Sequence, residues 1–284
     1  MRLTVIYNPK AGSQGWPKGA LDERLRAAGH EPYMVSSKTD WLPALDEPTD
    51  AVVAAGGDGT VHKLARALAG TDVPLAIVPL GTANNVARAF GWVPGSDPFA
   101  RMPYWGEDER LLRLECARSG DESYPFLEVL GVGAFARLLV EGPGKKRVPL
   151  ASLIRARRKL AEQVMEHDVL HATAVLDGRE IEGRFVMLAC LRIASFGPAL
   201  WLAPEQRPEA ADMTLVGVRN DQREAFTWWL ATGEGDIAQF EIGRGRKLRL
   251  TAPAPLHVDD RLIGGDDSVT VTVDGGEERV RVMV

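Results

Sequence analysis

Residues 52–70 read "VVAAGGDGTVHKLARALAG". An apolar run enters two glycines, an aspartate, a third glycine and a threonine. Apolar residues then return, with Val61, Leu64, Ala65 and Leu68 at i, i+3, i+4 and i+7 and Gly70 closing the run. The first part has the near-continuous apolar character of a strand buried on both faces; the second has the period of an amphipathic helix ending at a glycine. A strand that passes straight into a helix through bare backbone is the repeating piece of a parallel α/β sheet.

The same alternation fills the first hundred residues. Strand-like runs occur at "LTVIYN" (3–8), "PYMVS" (32–36), "AVVAA" (51–55) and "PLAIVP" (74–79), and Leu21, Leu25 and Ala28 share one helical face that stops at Gly29. Three glycine-containing turns each follow a strand: "NPKAG" (8–12), "GGDGT" (56–60) and "PLGTANN" (79–85). Ligands of open α/β sheets sit beyond the carboxyl ends of the strands, so the three turns are expected along one edge. Glycine admits positive φ and lets phosphate oxygens reach backbone N–H groups with no Cβ in the way. A helix starting near Thr60 would aim its dipole at the same point. Asp58 beside a phosphate calls for a divalent cation or a water network between them, and magnesium bridges carboxylates and phosphates. The alternative, that Gly-Gly-Asp-Gly only makes a tight turn, explains three such segments on one edge less well than it would a single one.

From about residue 109 the pattern becomes one of short strands: "LLRLECA", "PFLEVL", "HATAVLDGREIEGRFVMLACL", "MTLVGV", "RKLRLTA", "LHVDDRLI" and "SVTVTVDGGEERVRVMV". Asp177-Gly178 and Asp274-Gly275 are expected at hairpin turns. Two helices are expected to interrupt this half, a basic one near 150–166 and "DQREAFTWWLATG", ending at Gly233.

With 284 residues, 45% of them hydrophobic, the chain can bury one large core or two ordinary ones. Its two cysteines, Cys116 and Cys190, lack metal or redox spacing and read as reduced thiols. Together with an N-terminus unlike a signal peptide, they lead to an expected cytoplasmic location. The apolar stretch 185–203 is interrupted by Arg192, Gly197 and Pro198, and reads as strand and loop rather than a membrane span. The net charge is −5, yet seven basic residues and no acid lie between 145 and 159, so the remainder is net −12. An acidic chain of this kind is a poor nucleic-acid binder. Its basic segment is either a solvated helix face or a contact with an anionic membrane surface. The P-loop, GxSxG and HExxH patterns are absent. "GVGAFA" (131–136) has the GxGxxA form but lies outside the βαβ half.

These segments carry a resemblance. "VIYNPKAG", "GGDGTVHKLARALAG" and "PLGTANNVARAFG" resemble the three nucleotide-site motifs of the diacylglycerol kinase catalytic-domain family, which includes bacterial lipid kinases and sphingosine and ceramide kinases; "GGDGT" is shared more distantly with NAD kinases. "FLEVLGVGAFARLL", "APEQRPEAADMTLVGV" and "LHVDDR" are similar to its FxNxxGxGxDA segment, its acidic loop before an LDV strand, and its DGE motif. The resemblance implies an α/β nucleotide-binding domain over 1–108. It also implies a mainly antiparallel β-sandwich domain for the lipid substrate over 109–284, whose last strands pack back near the first domain. It implies ATP and Mg2+ as cofactors and a lipid hydroxyl as acceptor. Asn8 and Gly12 would line the nucleotide site. Gly56, Gly57, Asp58, Gly59 and Thr60 would hold phosphates and magnesium, with Asp58 on the metal, and Gly81, Thr82 and Asn84 would complete the pocket. Asp259, matching the aspartate of DGE, would be the general base.

The chain also departs from the family pattern. Lys63 stands where a glutamate often follows GGDGTxx, Glu128 replaces the Asn of FxN, Phe135 replaces the acid of GxDA, and Met213 replaces the glycine after Asp212. Asp260 and Arg261 turn DGE into "DDR". Two further readings therefore stay open: a non-catalytic ATP-binding member, and a kinase of a soluble substrate related to NAD kinases. Trp201, Trp228 and Trp229 suit either an aromatic core or a lipid-facing foot, and His62 and His257 flank motifs without an assigned role.

Overall fold

A computed structural model describes residues 1–11, 16–141, 149–265 and 267–284. The chain divides into two compact units, Met1–Leu112 with Glu278–Val284, and Arg113–Glu277.

The first unit begins β1 (Arg2–Tyr7), α1 (Lys18–Ala27), β2 (Glu31–Ser36), β3 (Ala51–Gly56), α2 (Asp58–Leu68), β4 (Leu75–Pro79), α3 (Asn85–Ala89) and β5 (Glu109–Arg113). The expected strands and helices of this half are therefore present. β2, β1, β3 and β4 are parallel neighbours in that order. Every residue of β3 is buried, as its apolar run requires. Leu3, Val5, Ala51, Val53 and Ala55 pack with Leu21 and Leu25 of α1, while α2 turns Val61, Leu64, Ala65 and Leu68 inward. The chain runs from β1 to one side and returns to the other at β3, so the strand order switches between them.

The second unit contains β6 (Glu115–Ser119), β7 (Glu122–Phe126), β8 (Val129–Gly133), α4 (Ala134–Glu141), α5 (Pro149–Glu166), β9 (Leu170–Leu176), β10 (Arg179–Leu191), β11 (Ser195–Phe196), β12 (Leu200–Trp201) and β13 (Met213–Arg219). It continues with α6 (Arg223–Thr232), β14 (Glu241–Gly245), β15 (Leu248–Pro253), β16 (Leu256–Val258), β17 (Arg261–Ile263) and β18 (Ser268–Val273). Eleven of these strands form one network in the order β17-β16-β8-β10-β9-β15-β18-β6-β7, with β13 joined to β10 and β14 to β13. All its recorded pairs are antiparallel. The sheet folds over its own core, because Phe126 of β7 packs with Leu130, Leu256 and Val258 from the far end of the strand order. β10 explains the long apolar stretch. Leu188 and Cys190 face this inner core, while Met187, Ala189 and Leu191 face a second core closed by α4, α5 and α6. A strand covered on both faces needs no polar side. No helix among the described residues is long and apolar enough to cross a membrane.

Asp177 and Gly178 take φ of 47° and 84° between β9 and β10, the paired positive values of a tight hairpin turn. Asp274-Gly275 differs from expectation. The last strand, β19 (Arg279–Met283), does not return against β18; it pairs parallel to β4 and stands between β4 and β5. Val280 and Val282 are each 1% exposed there. The alternating pattern of 279–283 suits any half-buried strand, and the buried slot beside β4 takes it. The helix α4 is also additional to the two expected; it follows directly from "GVG".

Candidate functional site

The three glycine turns lie at the carboxyl ends of neighbouring strands β1, β3 and β4, and backbone hydrogen bonds tie them together. Asn8 N–H donates to Ala55 O (2.9 Å), and Leu80 N–H donates to Gly56 O (2.9 Å). Within the first turn, Asn8 Oδ1 accepts from Lys10 N–H (3.1 Å) and Asn8 O accepts from Ala11 N–H (3.0 Å). Gly12 lies outside the described residues. In the third, Asn84 folds its side chain back on its own turn. Its Oδ1 accepts from Gly81 N–H (2.9 Å), its Nδ2 donates to Gly81 O (3.0 Å), and its backbone is left-handed at φ 51°. Thr82 is exposed beside it.

The described glycines of these turns do not use the positive φ expected of them. None of Gly56, Gly57, Gly59 and Gly81 has positive φ. A Cβ on Gly81 would stand 2.4 Å from Gly57 Cα, one on Gly57 would stand 3.0 Å from Gly81 Cα, and one on Gly56 would stand 2.4 Å from Thr60 Oγ1. These three are bare because two turns press backbone against backbone and Thr60, 6% exposed, fills the space behind them. Gly59 has no such neighbour: nothing lies within 4 Å of where its Cβ would be, and it is exposed. Thr60 and Val61 N–H groups close onto Gly57 O (2.8 and 3.2 Å), whereas the Gly59 N–H finds no acceptor among the described residues. It is one of the orphan donors of a helix start.

Asp58 joins the second turn to the third. Its Oδ1 accepts from Val86 N–H (3.1 Å) in the first turn of α3. Burial pushes its carboxyl above the ordinary value, while the neighbouring His62 charge and the backbone N–H groups of Val86 and Asn84 pull it back. Arg88, whose guanidinium is pushed down by burial, feels the same carboxylate. Neither His62 nor Arg88 stood out as a partner of Asp58 in the sequence, although both lie one helical turn beyond a motif residue. Among the described residues no group of three or more His, Cys, Asp or Glu side chains could hold a metal. A magnesium ion held by Asp58 would thus take fewer than three such side chains from the described residues and would complete its shell with other oxygens, such as those of phosphates and water.

Asp259 belongs to the second unit. It sits in the β16–β17 turn with φ 50°, in the two-residue loop closed by the register pair Val258 and Arg261. It is 4% exposed. Its Oδ1 accepts from the N–H groups of Leu127 (3.3 Å), Glu128 (2.9 Å) and Val129 (3.2 Å), its Oδ2 from Leu127 (3.2 Å), and its own N–H donates to Val129 O (2.8 Å). The carboxylate therefore shapes the connection between β7 and β8. Asp260 and Arg261 are exposed. His257, wholly buried, faces Phe135 and Phe196 with ring centroids 4.8 and 6.3 Å away, and burial lowers it to about 4. "GVGAFA" is explained by packing: a Cβ on Gly131 would stand 2.6 Å from His257 Nε2, and one on Gly133, at φ 95°, would meet Val186 O.

The acidic loop holds a residue that sequence reasoning treated only as an interruption. Arg192 is 0% exposed and donates to the carbonyls of Pro208 (3.1 Å), Ala210 and Asp212 (3.0 Å), with Nε 3.8 Å from Glu115 Oε1. Burial lowers the guanidinium and raises Glu115. An arginine within an apolar stretch was the available signal that partners must be buried with it. Trp229 is buried, Trp228 is 58% exposed and Trp201 is half-buried.

Residues 2–102 match the family profile of the diacylglycerol kinase catalytic domain. A Bacillus subtilis (strain 168) diacylglycerol kinase is 33% identical over 218 residues, covering 72% of this chain and 69% of that protein. This chain belongs to the diacylglycerol kinase family. A Mycobacterium tuberculosis diacylglycerol kinase is 35% identical over 208 residues, 69% of this chain but 64% of that protein, just under two thirds of its length. Two solved structures share the fold. A diacylglycerol kinase from Bacillus anthracis str. Sterne has a TM-score of 0.70 at 17% identity, covering 99% of this chain and 96% of that one. An NAD kinase from Archaeoglobus fulgidus in complex with ATP has a TM-score of 0.55 at 14% identity, covering 100% and 94%.

Proposed function

We propose that this family member is an ATP- and magnesium-dependent kinase that transfers the γ-phosphate to a hydroxyl of a diacylglycerol-like lipid. The observation that carries the reading is Gly59. It is a bare, exposed residue with an open N–H at the start of α2, in a cluster of turns whose other described glycines are accounted for by packing. An anion approaching there meets an orphan donor, the positive end of a helix and no side chain. Asn8, Gly12 and Thr82 would border the nucleotide, Gly56, Gly57, Gly81, Thr60 and Asn84 would shape its bed, and Asp58 would share the magnesium ion. The lipid oxygen attacks the γ-phosphorus, the bond from that phosphorus to the β,γ-bridging oxygen breaks, and the hydroxyl proton passes to Asp259. The basic stretch would bring the protein to an anionic bilayer. Arg155 and Arg158 are exposed on α5, but Arg157 is engaged with Pro198 O (3.1 Å) and Ala199 O (2.5 Å), and Lys145, Lys146 and Arg147 lie outside the described residues.

Labelled ATP, magnesium and a panel of lipid micelles test the reading, with Asp58→Ala and Asp259→Asn beside the wild type. Transfer to a lipid that both variants lose supports it. ATP binding without transfer to any lipid would favour the second reading, a non-catalytic ATP-binding protein. What favours that alternative is the depth of Asp259 and its engagement by three backbone donors. Transfer to a soluble acceptor without lipid would favour the third reading, a kinase of a soluble substrate.

A further inference from the structure

Lys63 reverses the charge that the family pattern often carries at its position, and the structure gives that reversal a place. It is exposed, and among the described residues no hydrogen bond or ion pair holds its ammonium. It follows Gly59 by four residues on α2, so the two share one face about 6 Å apart along the axis. Helical side chains lean toward the N-terminus, and Gly59 leaves the space in that direction empty. The acid of the same turn, Asp58, is directed instead to Val86 N–H of α3. The helical spacing therefore puts Lys63 one turn behind the open donor, on the same face, with no Cβ at Gly59 to block the path between them.

We infer that Lys63 is a phosphate-binding residue of the nucleotide site, supplying in this chain a positive charge to the terminal phosphates. The inference rests on the nucleotide reading of the Gly59 turn and deepens it. A flexible ammonium suits the task because it follows a polyphosphate as a mobile point charge rather than a fixed fork.

Calorimetric titration with magnesium and ATP, ADP or AMP tests it on the full chain. Lys63→Ala is expected to weaken ATP about tenfold, the loss of one charge-assisted contact, and AMP much less. Lys63→Arg should recover most of the ATP affinity, Lys63→Glu should lose more than Lys63→Ala, and the salt dependence of ATP binding should flatten in Lys63→Ala. The melting temperature without nucleotide should stay that of the wild type, since the side chain is exposed and no hydrogen bond or ion pair among the described residues is lost with it. Wild-type ATP affinity in Lys63→Ala overturns the inference and leaves the nucleotide reading standing. Absence of ATP binding by the wild type overturns both.

Discussion

At the scale of single residues, Gly59 and Gly81 look alike in sequence and act differently. A methyl group on Gly81 meets the backbone of Gly57 at 2.4 Å, whereas one on Gly59 meets nothing. Gly81→Ala is expected to cost about 1–3 kcal/mol of stability through overpacking. Gly59→Ala replaces a helical glycine by a better helix former and should keep or raise the melting temperature by an amount worth up to about 1 kcal/mol. The same substitution should weaken ATP, because the methyl group occupies the approach to the N–H. Thermal unfolding beside nucleotide titration separates the two effects. His257 offers a pH test. Its folded value of about 4 lies below the ordinary 6.5, so the unfolded chain takes up a proton first. The stability it contributes is complete above 6.5 and is lost as pH falls toward 4, by up to about 3 kcal/mol. Denaturant midpoints at pH 7, 5.5 and 4 should trace that fall, with a shallower slope in His257→Leu.

At the scale of elements, α3 has five residues and no side-chain cap of its own. Too short to hold itself, it borrows the Asp58 carboxylate from the neighbouring turn. Asp58→Ala should therefore speed amide exchange at Val86 and its neighbours by an amount corresponding to about 1 kcal/mol, leaving the interior of α2 protected. Unchanged exchange there would separate the two turns. The first-unit elements were legible because apolar period is a local property: β3 is apolar throughout since both faces are covered, and α2 shows its stripe. The resemblance implied that the last strands pack back near the first domain, but the slot β19 takes beside β4 was not legible, because "RVRVM" fits any half-buried edge and its partner lies some two hundred residues earlier. Nor was the use of the glycines. Composition marks where backbone is bare, but only packing tells whether a neighbour or an approaching anion needs the room. The resemblance singles out Asp259 as the expected general base, yet its hold on Leu127, Glu128 and Val129 was not legible, since it depends on contacts across more than a hundred residues.

At the scale of the whole molecule, the charge is uneven: net −5 overall, with seven basic residues gathered at 145–159. If this segment meets an anionic bilayer, each basic side chain near the surface contributes about 1 kcal/mol. Sedimentation with vesicles should then show binding to anionic but not zwitterionic lipid, and the binding should weaken as salt passes ~0.15 M, where the screening length is about 8 Å. Equal binding to both vesicle types would remove charge as the cause.

The position of β19 bears on how such a chain is made. Its first six-stranded sheet waits for residues 279–283, which enter between β4 and β5 after all of the second unit has been written. During synthesis the early strands leave the ribosome with a gap in their midst, exposing unsatisfied ladder groups along two edges. That interval is when the newborn polypeptide most needs shelter from its neighbours.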